Sequence, residues 1–581
     1  MENTYFIGLS VTYHDPAIAI VDCSRNLLFA EATERYLQLK RALNCEPDSL
    51  YRIVELLQDY CPAADRIHIA FNWQRSRPFY EHFCATTRYF TPPGLMRPRF
   101  AKQSTFLEKY KIFHMLACQT RAMNLGGINL ARMVREAFPE TKLHFHHFDH
   151  HLTHAAFACY ASPFAESDCM VVDSYGERGS VAFYRYREGL LTLVRQSAGI
   201  ESLGFFYMKL TELCGFDWIR GEEWKVMGLA SYGSFNEEIY ALFRSMIRVE
   251  DLDLTQRLPE IRNGMASLEQ QFRNRRSMGT ADLAFTGQYF FAELMRQLLV
   301  NFRSLNFSEN LVLCGGCALN SSFNGQILER SGYHRLYIPS APADDGTAVG
   351  AAVLACDRIY SDQRKSNQRS MTPYLGSTVS ADSLQRLLRF GSGLRIRHLP
   401  GGLAEESAKL LAAGHLIGWM QGRAEFGPRA LGNRSILADP RQAEMKHKIN
   451  STVKFREEFR PFAPAILHEF GERYFENYVE SPYMERALRF RAQVRDRVPA
   501  VVHVDHTGRL QTVKREWNAP FHDLLQAFHR ITDVPVLLNT SFNVMGKPII
   551  HTVEDAVSVF LTTGLDDLVI GDYLLSKPAT Q

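Results

Sequence analysis

Apolar runs alternate with turn residues in "YFIGLSVTYHDPAIAIVDCSRNLLFAEATER" (5–35). The pattern predicts strand, polar turn, strand, turn, strand, with turns at His14–Pro16 and Asp22–Asn26. The same cadence returns in "CMVVDSYGERGSVAFYRYREGLLTLVRQSAG" (169–199), with Asp-Ser-Tyr-Gly and Arg-Glu-Gly at its turns. Two such units predict a duplicated α/β architecture with a cleft between its halves. Between them the chain is helix-rich and aromatic. Residues 85–110, with Pro92, Pro93 and Pro98, form a long loop of the kind that builds a lid or a substrate wall.

"ENLVLCGGCALNSSFNGQILE" (309–329) reads as strand, glycine turn, helix. "RLYIPSAPADDGTAVGAAVLA" (335–355) reads as strand, loop, then a small-residue helix from about Gly346. Both place polar groups and free N–H groups at strand-to-helix turns, where phosphates and cations bind. The polar stretch 357–373 is the candidate linker. A second domain follows, opening with the helix "SADSLQRLLRF"; a later helix stops at Gly414 before a buried strand.

Length supports this division, since 581 residues exceed one hydrophobic core. Apolar residues at 46% and charged residues at 22% are ordinary for a globular protein, and a net charge of +3 gives nucleic acid or membrane no bulk attraction. No apolar stretch approaches a membrane span and the N-terminus has no basic leader. The eleven cysteines are scattered in apolar runs, which suits reduced thiols and a cytoplasmic setting. The pair Cys314 and Cys317 lacks a second pair for zinc and reads as a glycine turn after a strand.

Chemistry concentrates in two places. "FHHFDHHLTHAAFACY" (145–160) holds His146, His147, His150, His151 and His154. If "HHLTHAAFACYA" is a helix, His150 and His154 share a face at i and i+4 and can bind one divalent cation with a carboxylate from elsewhere. Asp344 and Asp345 are the candidates; imidazole with carboxylate suits Fe, Zn or Mn. The competing reading is a polar helix face. The second place is "GRAEFGPRALGNRSILADPR" (422–441) followed by "INSTVKFREEFRPFAPAIL" (449–467). Arg423, Arg429, Arg434, Arg441, Lys454, Arg456 and Arg460 alternate there with Phe426, Leu431, Ile436, Phe455, Phe459 and Phe462. The apolar residues draw the segment inward, so a pocket for a small anion is favoured over a solvated basic face. "HVDHTGRLQTV" (503–513) adds Arg509, and "PVLLNTSFNVMGKPI" (535–549) adds Asn539, Ser541 and Asn543.

These segments, with "YHDPAIAIV", "DHHLTHAAFA", "GEEWKVMGLASYG", "GGCALN" and "DDGTAVGAA", resemble the carbamoyltransferases of the NodU/CmcH type, which include the tobramycin, cephamycin, novobiocin and ansamycin enzymes. The resemblance runs in order from about residue 5 to 575. It implies two domains: a TsaD-like one on the duplicated actin-like/sugar-kinase fold (1–362) and a YrdC-like α/β one (374–581). It implies an ATP-dependent O-carbamoyltransferase. Carbamoyl phosphate and ATP give carbamoyl-adenylate in the second domain, and the carbamoyl group passes in the first to a hydroxyl of a small natural product, as in antibiotic biosynthesis. It makes His150, His154 and Asp344 (Asp345 as fallback) ligands of Fe(II) or another divalent metal, with Mg²⁺ accompanying ATP, and His14 the general base on the acceptor. It places Asp173, Lys225, Gly315, Gly316 and Asn320 at the nucleotide, and Arg429, Lys454, Arg460, Arg509, Asn539 and Ser541 at carbamoyl phosphate. No nucleic-acid or membrane partner is implied, and a homodimer is compatible.

The chain departs from the family at Asp173-Ser174-Tyr175-Gly176-Glu177, where Asp-Gly-x-Gly-Glu is usual, and at Trp224, where glycine is common. His146, His147 and His151 have no family role and are expected on strand or helix surface. The acceptor pocket is expected from 82–110 and 204–224, with Asp217, Glu222 and Glu223 suiting a cationic acceptor. The nearest rivals are a tRNA-modifying enzyme, a HypF-like carbamoyl-adenylate enzyme and a catalytically inactive nucleotide sensor. No basic stripe or paired CxxC motif supports the first two, and the intact histidine and arginine sets oppose the third.

Overall fold

The computed structural model describes residues 3–74, 115, 117–197, 201–256, 264, 268, 279–360 and 370–578. The loop expected at 82–110 lies outside the described residues. The first hairpin unit forms as β1 (Thr4–Ser10), β2 (Ala17–Asp22) and β3 (Leu27–Ala32). With β4 (Arg66–Phe71) and β5 (Lys142–His147) it makes a sheet of order β3-β2-β1-β4-β5. The second unit forms as β6 (Glu166–Val172), β7 (Val181–Arg187) and β8 (Leu190–Gln196). With β9 (Asn310–Cys314) and β10 (Arg335–Tyr337) it makes a sheet of order β8-β7-β6-β9-β10. In each sheet the first three strands are antiparallel neighbours and the last two run parallel to the first. Equal order and equal direction make this a duplicated α/β fold. The turn after β2 closes because the Asp22 carboxylate accepts the N–H groups of Ser24 and Asn26 at 2.9 and 2.8 Å.

Four helices position the site: α1 (His150–Ala161), α2 (Glu223–Ala230), α3 (Thr280–Ser304) and α4 (Thr347–Ile359). Helices α1 and α4 follow β5 and β10, the last strands of the two sheets, and pack on each other. The run of small residues in α4 has a steric reason. A Cβ at Gly8 of β1 would lie 1.8 Å from the Ala348 carbonyl oxygen, and one at Gly350 would lie 1.9 Å from that of Thr153. Backbone therefore meets backbone on both sides of α4.

The third sheet has nine strands. Their order is Arg395–His398, Tyr573–Ser576, Asp567–Ile570, Ile417–Met420, Arg434–Ala438, Val536–Ser541, Ala463–Leu467, Thr507–Val513 and Arg486–Arg489. Its pairings are mixed, and the buried residues of its core run from Leu403 to Leu575, with Val379, Leu384 and Leu387 packed against them. The expected linker begins later than its composition suggests. Asp357 belongs to α4 and is buried in an ion pair with Arg25 at 2.9 Å, so helix and not linker occupies 357–359.

The C-terminal sheet is joined closely to the rest. Arg423 Nη2 donates to the Leu28 carbonyl at 2.7 Å, and Arg35 Nη2 donates to the Gly427 carbonyl at 2.7 Å. Glu31 meets Arg52 at 2.9 Å and His551 at 3.2 Å across the seam.

Because α4 has no spare volume, Gly350→Ala is expected to cost about 2–3 kcal/mol, the usual penalty of overpacking. Thermal unfolding followed by circular dichroism checks this; an unchanged midpoint would show that the contact with Thr153 can relax.

Candidate active site and metal centre

The strand and helix expected around the histidines form as β5 and α1. Asp149 caps α1 by accepting the Leu152 N–H at 3.1 Å, which starts the helix at His150 and puts His150 and His154 on one face. Both imidazoles are 1% exposed, so the polar-face reading is excluded. His150 Nε2 lies 3.3 Å from Asp173 Oδ2 and 3.5 Å from Asp344 Oδ1. His154 Nε2 lies 3.5 and 3.4 Å from the same atoms. The four donor atoms lie within 4.8 Å of one another.

Asp344, not the neighbouring Asp345, enters this cluster. Asp345 turns to the Gly346 N–H at 3.0 Å, and burial, aided by the Asp15 charge, pushes its carboxyl up to about 7. Asp173 is a fourth donor, a place the resemblance does not give it. It also accepts the Ser174 and Gly316 N–H groups at 2.7 and 3.3 Å. Burial opposes every charge here, yet hydrogen bonds between the pairs prevail. The two carboxylates hold the His150 imidazole well above its usual range, and the two histidines hold Asp173 well below that of a carboxylate. Two buried carboxylates facing two imidazoles form a nitrogen–oxygen donor set suited to one divalent cation.

Other side chains pack around these donors and hold them. The Trp73 ring stacks on His150 at 4.7 Å, and Glu177 accepts the His150 N–H at 2.8 Å. Burial, with the Asp149 charge, pushes the Glu177 carboxyl up to about 8. His14 lies at the edge, its Nδ1 3.0 Å from Asp15 Oδ2 and 3.5 Å from Asp344 Oδ2. Arg41 holds Asp15 through Nε and Nη2 at 3.1 and 2.9 Å.

The remaining histidines are not surface residues as a group. His151 is fully buried and fills the space a Cβ at Gly176 would need, which corrects the expected helix-surface position. His146 Nε2 lies 2.8 Å from His68 Nδ1, and His147 Nδ1 lies 3.1 Å from the Trp73 carbonyl; both are half-buried.

Of the residues assigned to the nucleotide, Asp173 and Gly316 meet, the Gly316 N–H donating to the Asp173 carboxylate at 3.3 Å. Gly315, at φ +89°, passes so close to Val172 that a Cβ would lie 2.3 Å from its carbonyl oxygen. Asn320 caps the turn Ser321–Asn324 through the Phe323 N–H and exchanges hydrogen bonds with Gln288 on α3. Lys225 on α2 pairs with Glu222 at 2.6 Å and Glu457 at 3.0 Å.

The C-terminal basic motif divides in two. Arg423, Arg434 and Arg441 serve the fold. Arg423 donates to the carbonyls of Gly376 and Leu28, and Arg434 donates to those of Gln421, Asn433, Ser377 and Gly422. Arg441 pairs with Asp439. Arg429, Lys454, Arg456, Arg460 and Arg509 converge instead. Lys454 Nζ donates to Asn543 Oδ1 at 2.7 Å and to the carbonyl of Ser541. Asn539, two residues before Ser541 on one strand, donates to Gln511 at 2.7 Å. Burial pulls the Arg429 guanidinium down to about 10. Burial and the charges of Arg429 and Arg456 pull Arg509 well below its ordinary value. Neither Arg429 nor Arg509 has a carboxylate partner among the described residues. Arg456, pulled to about 9 by burial and Arg460, belongs to this group although the resemblance left it out. Its place between Lys454 and Arg460 was the available signal.

Cation binding at the four donors predicts that purified protein retains about one divalent metal ion per chain. His154→Ala and Asp173→Asn are both expected to lose it. Elemental analysis of the three proteins checks this; full retention in Asp173→Asn would reduce the set to three donors.

Residues 103–353 match the family described as Carbamoyltransferase N-terminus, and residues 408–577 match Carbamoyltransferase C-terminus. The chain is 36% identical over 452 residues to Nodulation protein NolNO of Sinorhizobium fredii, covering 74% of this chain and 63% of that protein's length. It is 30% identical to the protein sll1178 of Synechocystis, covering 99% of this chain and 97% of the other. Full-length HypF, in a structure with phosphate and nucleotide bound, aligns at a TM-score of 0.35 and 12% identity, over 62% of this chain and 56% of its own. With its donor cluster, its cationic pocket and both family segments in place, the chain belongs to the carbamoyltransferase family.

Proposed function

We propose that the protein is an ATP-dependent O-carbamoyltransferase acting on a small hydroxylated molecule. The observation that carries this reading is the group of cations at Arg429, Lys454, Arg456, Arg460 and Arg509, of which Lys454 and Arg460 are buried and the others half-buried, with too few carboxylates among the described residues to neutralise it. Buried charge without a partner is costly, and a multiply charged phosphoryl group would balance it. In this pocket carbamoyl phosphate takes up water and loses phosphate, leaving carbamate. The carbamate oxygen then attacks the α-phosphorus of ATP, giving carbamoyl-adenylate and pyrophosphate.

Transfer would occur at the histidine cluster. An acceptor hydroxyl attacks the carbamoyl carbon, AMP leaves, and the hydroxyl proton goes to a base. This reading gives the role to His14, whose Nδ1 lies 3.0 Å from Asp15 Oδ2 and whose other ring nitrogen would take the incoming proton. A positioned base of this kind contributes about 10²–10⁴-fold. A divalent cation held by His150, His154, Asp173 and Asp344, Fe(II) in this reading, would supply Lewis-acid neutralisation of the adenylate phosphate. Glu223, half-buried near Arg41 and His14, would border the acceptor.

Purified protein given ATP, carbamoyl phosphate and Fe(II) is expected to release pyrophosphate only when carbamoyl phosphate is present. Arg460→Ala is expected to lower that rate by about 10²-fold or more, the loss typical of removing one positioned donor. Release independent of carbamoyl phosphate, or unaffected by the substitution, would refute the assignment of the pocket.

A further inference from the structure

Glu457 is claimed by neither chemical centre, yet it touches both sides of the molecule. Its Oε1 lies 3.0 Å from Lys225 Nζ on α2, in the first domain. Its Oε2 lies 2.8 Å from Arg460 Nε in the cationic pocket. One carboxylate thus spans a cation of each domain, in the manner of a bridging phosphate. The other contacts of these cations are of the same kind. Lys225 also meets Glu222 at 2.6 Å, and the Arg460 guanidinium lies over the Trp224 ring at 4.1 Å. The Glu457 side chain is 37% exposed, whereas those of Lys225 and Arg460 are 9% and 8% exposed. The carboxylate can swing out to water, and the two cations cannot.

We propose that Glu457 is a built-in surrogate for the anionic substrate: it holds Arg460 and Lys225 while the pocket is empty and is displaced when a phosphoryl anion binds. Displacement turns Arg460 toward the anion and releases Lys225, on the other domain, for the adenylate phosphate that follows. Occupancy of the second domain is thereby communicated to the first through one ion pair. The inference rests on the reading of this pocket as the carbamoyl phosphate site.

The test is calorimetric titration of inorganic phosphate, and separately of carbamoyl phosphate, into the full chain and into Glu457→Gln. Removing the competing charge should tighten phosphate binding about threefold to tenfold, the factor set by the fraction of empty protein in which the surrogate occupies the site. A residue that merely supports the pocket would give weaker binding on substitution. Weaker or unchanged affinity in Glu457→Gln overturns the proposal. A second readout needs no substitution at Glu457. Phosphate should change tryptophan emission in the wild-type chain as Arg460 leaves the Trp224 ring, and the change should vanish in Trp224→Phe. A change that persists in Trp224→Phe, or none in the wild type, also overturns it. Pyrophosphate release separates the two readings. Tighter phosphate binding in Glu457→Gln without carbamoyl-phosphate-dependent release would keep the surrogate and refute the reaction. Release with no gain in affinity would do the reverse.

Discussion

The contact on which the site depends is the backbone approach of α4 to β1 and α1. At Gly8 and Gly350 no side chain separates the chains. That closeness is what carries the Asp344 carboxylate, at the turn entering α4, to within 3.5 Å of the imidazoles on α1. A helix of ordinary side chains would stand farther off, and two histidines would face one carboxylate in place of two. Small residues in α4 are therefore the steric condition for a four-donor centre, more than a packing preference.

The C-terminal pocket solves a different problem, that of keeping several cations near each other with few carboxylates beside them. The motif does so by separating roles. Arg434, fully buried, spends its guanidinium on four carbonyl oxygens and so fixes the loop that presents Arg429. Glu425 supports the same loop by accepting the N–H groups of Leu431, Asn433 and Arg434 on one oxygen. With the backbone held by these groups, Arg429 and Arg509 remain available to a ligand. Their lowered proton affinities express the same fact: burial acts on both, repulsion from Arg429 and Arg456 acts on Arg509, and neither has a carboxylate partner among the described residues.

Much of this was legible in the chain. Hairpin units with turns at 14–16 and 22–26 announce themselves through local chemistry, and the i, i+4 pair of His150 and His154 needs only a helix. What depends on distant contacts was not legible. The choice between Asp344 and Asp345 turns on which carboxylate faces α1, and adjacent residues look alike in sequence. Asp173 reads as a turn residue until β6 places it opposite the histidines. His151 appears to continue a polar run, yet it is buried against Gly176. Among the arginines, sequence spacing could not separate those that bind carbonyls from those left to a ligand. Asp357 joined the polar linker by composition, although Arg25, more than three hundred residues earlier, draws it into the fold.

The duplication explains why the donors meet at all. In the first half, β5 is followed by α1, which brings His150 and His154. In the second half, β10 is followed by the turn into α4, which brings Asp344. These are equivalent stations of the repeat. The turns leaving β1 and β6 are equivalent as well, and they bring His14 and Asp173. Each half thus contributes one helix start and one hairpin turn to a single point between the sheets. With like stations of the two halves face to face, different side chains at those stations give unlike donors: imidazoles from one helix start, a carboxylate from the other, an edge histidine from one turn and a second carboxylate from the other. Unlike side chains on the two sides of one site therefore require only different residues at paired positions, with no change of fold.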